Sequence, residues 1–126
     1  MSIELSQLFS DEAIREFGSL LRTSLRENND YASLIELEYV ESVVALSEAL
    51  KKLLRRYDSF ANHKGWLWRP STQSYERVMD LASRSDLPAD QQTNAVRLVR
   101  AALISHALTY SPAQIKYQKE EKNGRK

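Results

Sequence analysis

Apolar residues recur at three- and four-residue steps along most of this chain, and no useful length of it alternates strictly between apolar and polar. Ile14, Phe17, Leu21 and Leu25 form one such stripe and predict a helix over 11–27. Ser10 is its expected N-cap, with Asp11 and Glu12 in the first turn, where the positive end of the helix dipole favours acids. Arg15, Arg22 and Arg26 fall off the stripe; Gly18 falls within it and either weakens the helix or permits a close contact.

A polar break, Glu27-Asn28-Asn29-Asp30, precedes a second helix over 31–63. Leu34, Leu37, Val40 and Val44 line its first part; Val43, Leu46, Leu50, Leu53, Tyr57 and Phe60 line the rest. That is long for a globular helix, so a bend or break is expected near 38–42. Gly65 is placed to end it as a left-handed C-cap. Pro70-Ser71-Thr72 starts a third helix, which runs to about 84 on Tyr75, Val78, Met79 and Ala82. Asp86-Leu87-Pro88 breaks it, and a fourth helix follows over 88–110 on Ala95, Val96, Val99, Ala102, Leu103, His106 and Tyr110. The expected fold is all-α: a compact bundle of four to five helices in one domain over 1–112, with a frayed basic tail over 113–126.

Composition narrows the setting. With 126 residues, 42% hydrophobic and 28% charged, the chain buries a real core. The absence of cysteine excludes disulfides and thiolate metal sites and fits a reducing compartment. The start, MSIELSQLFSDEA, has neither a basic opening nor an apolar run, and no stretch approaches a membrane span, so the expected location is the cytoplasm, with no membrane partner. Charge is lopsided. Residues 1–50 hold ten acids and three bases, a balance of −7; residues 51–126 hold seven acids and fifteen bases, a balance of +8. Either the second half meets an anionic partner, or the two halves attract each other or a neighbouring copy.

Catalytic chemistry finds no foothold in the pattern. His106 falls on an apolar stripe, as a hydrogen-bonded core histidine would, and His63 sits beside Lys64 at a helix end. Neither has a carboxylate at metal-ligand spacing, no glycine-rich phosphate loop exists, and Glu36, Glu38 and Glu41 read as a solvated face. A non-enzyme is expected, without catalytic residues, metal or cofactor.

Binding is better supported. Lys51, Lys52, Arg55 and Arg56 crowd two helical turns, Lys64 and Arg69 follow, and Arg97 and Arg100 lie together on the fourth helix. Such bases contact phosphates without any sequence motif, although they also suit the negative pole of a helix. Trp66 and Trp68 either stack on unpaired bases or plug the end of the bundle; the plug is the preferred reading. Ile104 and Leu108, with Leu98 to the flank, make the C-terminal half of the fourth helix apolar nearly all round, which fits a central helix or one packed on another chain.

In LSEALKKLLRRYDSFANHKGWLWR and NAVRLVRAALISHAL, and in its small, cysteine-free, helical character, the chain resembles the small subunits of multi-subunit CRISPR effector complexes of the Cascade type. The resemblance covers the whole chain in character and transfers no individual residue. It implies a non-catalytic bundle, present in neighbouring copies and packed on larger subunits of a ribonucleoprotein. There it would support a guide, target or displaced strand of RNA or DNA through phosphate contacts. The acidic first half departs from that pattern. The alternative is a helical protein–protein interaction module, adaptor or antitoxin-like, with no nucleic-acid role.

Overall fold

The computed structural model describes residues 5–84 and 87–109. Six α-helices make up the described structure: α1 (Leu5–Ser10), α2 (Glu12–Asn28), α3 (Tyr31–Glu38), α4 (Val43–Lys64), α5 (Thr72–Ser83) and α6 (Ala89–Leu108). The all-helical class is as expected; six helices exceed the four to five expected, and each of the two elements beyond the four read from the pattern has a local cause. The segment Leu5–Ser10 is too short to show a periodic stripe, yet it forms a helix by burying Leu8. The long helix expected over 31–63 is two helices, parted after Glu38 within the expected 38–42 window. Tyr39 and Val40 turn back with their N–H groups bonded to the Glu36 and Leu37 carbonyls. Ser42 then restarts the chain, its hydroxyl accepting from the Ala45 N–H.

Caps explain the other boundaries. Asp11, not Ser10, caps α2: its carboxylate accepts from the Ala13 and Ile14 N–H groups, while the Ser10 hydroxyl donates to the Gln7 carbonyl within α1. Asn29 ends α2 with a left-handed backbone (φ 51°), and Gly65 ends α4 with φ 75°, where a side chain would be strained. Ser71 caps α5, and α6 begins after Pro88 and ends at Leu108. The basic tail 113–126, Tyr110 and Asp86 lie outside the described residues.

Helices α2 and α6 form the central pair, with α1, α3, α4 and α5 packed around them. Ile14, Phe17, Leu20, Leu21, Leu46, Leu50, Leu53, Tyr57, Val99 and Leu103 fill one core. Burying a side chain of this size contributes about 1.5–3 kcal/mol before the entropy of ordering it is subtracted. Gly18 is required where α2 meets α6: a Cβ there would overlap the His106 Cβ. Arg22, expected off the apolar stripe, is buried at 2% exposure. Its Nη1 donates to the His106 and Thr109 carbonyls at 3.1 and 3.0 Å, and so closes the C-terminal end of α6. Burial, and next the charge of Arg26, lowers its pKa from the ordinary arginine range.

Candidate functional site

The basic residues of α4 divide into tied and untied groups. Arg56 reaches across to α3: Nη1 donates to Ser33 Oγ at 2.9 Å and Nη2 to Glu36 Oε1 at 3.0 Å, and the buried Asp30 carboxylate lies 3.8 Å away. Lys52 adds a longer pair to Glu36 at 3.9 Å. Arg69 pairs with Asp58 at 3.1 Å. On α6, Arg97 grips Glu41 at 2.6 Å, and Arg100 donates to the Val40 carbonyl with Glu41 at 3.7 Å. The hydrogen bond from Arg97 is the chief reason Glu41 stays below the usual carboxylate range, with the charges of Arg97 and Arg100 adding to it; the same bond raises Arg97. Arg97 and Arg100 therefore fasten the α3–α4 connection to α6.

Among the described residues, Lys51, Arg55 and Lys64 form no ion pair. Lys51 and Arg55, four residues apart, share the outward ridge of α4. Lys64 stands at the helix end with its ammonium 5.8 Å from the centre of the Phe60 ring. The eight bases therefore form no continuous cationic face: acids from the first half of the chain meet Lys52, Arg56, Arg97 and Arg100, and Asp58 of α4 meets Arg69 in the connection that follows. Among the described residues, four acids of the first half (Asp11, Asp30, Glu36 and Glu41) thus pair with bases of the second.

The tryptophans sit at the end of the bundle. Trp66 is buried and meets Phe60 edge-on, with ring centres 5.4 Å apart. Trp68 is half-buried, edge-on to Tyr57 at 6.0 Å, and its carbonyl accepts from the Tyr57 hydroxyl at 2.6 Å. On α6, Leu98 and Ile104 pack against the core from partly buried positions, and Leu108 is 65% exposed. A central place in the bundle thus accounts for Leu98 and Ile104.

The surface that sequence reasoning missed lies on α3. Tyr31, Ile35 and Tyr39, at four-residue steps, are 58%, 54% and 78% exposed, and Val44 in the first turn of α4 is 69% exposed. Ser33 and Leu37 are buried on the other side of the same helix. In helical register Ile35 and Tyr39 already lie opposite the Leu34, Leu37 and Val40 stripe, whereas Val44, expected on that stripe, faces outward in α4, which restarts at Ser42. Beside them Glu38 is exposed and, among the described residues, has no ion pair.

Among the described residues, no three His, Asp or Glu side chains gather as a metal-ligand group, and no helix is long and apolar enough to cross a membrane. The chain belongs to the same family as an uncharacterized protein of Archaeoglobus fulgidus, to which it is 43% identical over 111 residues, 86% of this chain and 85% of that one. No family model and no solved structure matches it.

Proposed function

We propose that this protein is a non-catalytic helical subunit of a larger assembly. The bare apolar face of Tyr31, Ile35, Tyr39 and Val44 carries the proposal: a folded helix gains nothing by presenting two tyrosines and an isoleucine in a row to water, and such a patch marks a protein contact. A larger neighbouring subunit covers this face. The outward Arg55, with Lys64, remains for phosphates of a guide, target or displaced strand. That arrangement is the one implied by the resemblance to small subunits of CRISPR effector complexes.

The second reading, a protein–protein module with no nucleic-acid role, is favoured by the internal pairing of Lys52, Arg56, Arg69, Arg97 and Arg100. Partner binding at rising salt, with and without an oligonucleotide, separates the two. Nucleic-acid affinity that falls steeply with salt and drops in Arg55→Glu supports the first; retention of the partner with no oligonucleotide binding supports the second.

A further inference from the structure

A groove of about 570 Å³ opens between α2, α4 and α5. Its apolar walls are Phe17, Leu54, Pro70 and Tyr75; its rim carries Lys51 and Arg69. The Phe17 and Tyr75 rings are tilted against each other with centres 6.3 Å apart, and the Tyr75 hydroxyl is held 2.6 Å from Ser47 Oγ. The aromatic wall is thus fixed before anything binds. Lys51 has no ion pair among the described residues. Arg69 gives Nη1 to Asp58, and a guanidinium has five N–H donors to share.

We propose that this groove binds an acidic segment of a partner protein, which seats an aromatic or aliphatic side chain against Tyr75, Leu54 and Pro70 and sets its carboxylates on Lys51 and Arg69. Charge complementarity selects the occupant. Two bases flank an apolar slot, so the ligand carries one or two negative charges beside a bulky apolar group. A continuous phosphate backbone fits less well, because the space between the two bases is lined by the apolar side chains of Phe17, Leu54 and Pro70. The site is separate from the face of α3, and the proposal goes beyond the assembly role.

The test is an amide NMR titration of the full chain with a short peptide of alternating Glu and Phe. A peptide of alternating Lys and Phe and a thymidine oligonucleotide serve as controls. Saturable shifts confined to Leu54, Thr72, Tyr75 and their neighbours are expected. Lys51→Glu, at an exposed position, should weaken them by about three- to tenfold, and Ile35→Asp on α3 should leave them unchanged. No groove shifts, equal shifts with the Lys peptide, or stronger shifts with the oligonucleotide would overturn the proposal. So would concentration-dependent self-association that covers the groove, since the occupant would then be a second copy.

Discussion

His106 lies flat on Phe9: the ring centres are 3.9 Å apart, the planes are within 9° of parallel, and His106 Nε2 is 2.6 Å from the Phe9 carbonyl. This pair fastens the short helix α1 to α6. Burial, then the charges of Arg15 and Arg22, lowers the His106 pKa, against the opposing effect of the Phe9 hydrogen bond. Below about pH 6.5 the unfolded chain therefore takes up a proton that the folded chain resists. Stability is full above that pH and declines as pH falls through it towards the lower folded value. Denaturant midpoints measured between pH 7.5 and 5.5 should fall. His106→Phe, which keeps a ring on Phe9 and cannot titrate, should flatten that part of the profile.

Gly18 makes the same junction possible from the side of α2. Adding a methyl group should force α2 and α6 apart, because the atom it meets is a Cβ fixed to the backbone of α6 and not the end of a flexible side chain. Gly18→Ala should cost about 1–3 kcal/mol, despite the better helix propensity of alanine. Thermal unfolding measures it, and an unchanged or higher midpoint would mean that the two helices do not approach so closely.

Adjacent arginines should behave differently. Arg56→Ala removes a hydrogen-bonded tie to Ser33 and Glu36 and leaves the buried Asp30 carboxylate without its nearby cation, so a loss of about 1–2 kcal/mol is expected. Arg55→Ala should change stability by under about 0.5 kcal/mol. The proposed nucleic-acid contacts are therefore best probed at Arg55 alone, since a change at Arg56 disturbs the fold as well. Chemical denaturation of both variants checks the difference.

On α6, Ile104→Asp should destabilise the monomer by about 2 kcal/mol or more, because a charge would enter a site packed against the core. Leu108→Asp, at an exposed position, should leave the melting curve nearly unchanged. Comparable melting of the two variants would contradict the placement of Ile104.

Much of the bundle is legible in the sequence because its signals are local. Stripes at helical spacing, Gly65, Ser71 and Pro88 mark four of the helices and their ends. The break between α3 and α4 is visible only as excess length, for no proline or glycine marks it; a tyrosine and a serine carry the turn and the cap. What the bases do is not local. Glu36 is twenty residues from Arg56 in sequence, and Glu41 is fifty-six from Arg97. A pattern of charges along one helix cannot show which of them another helix neutralises. Arg22 is hidden for the same reason, since the carbonyls it caps belong to the end of α6.

The central claim, that α3 presents the contact surface of an assembly subunit, is tested most directly by purifying the tagged protein from its native source beside an Ile35→Asp/Tyr39→Ser variant. Both side chains are more than half exposed, so the variant should fold and melt like the parent. The account predicts that the parent emerges at stoichiometric ratio with larger protein subunits, and that the variant emerges free of them. Recovery of the parent as a lone monomer, or full partner retention by the folded variant, would contradict it.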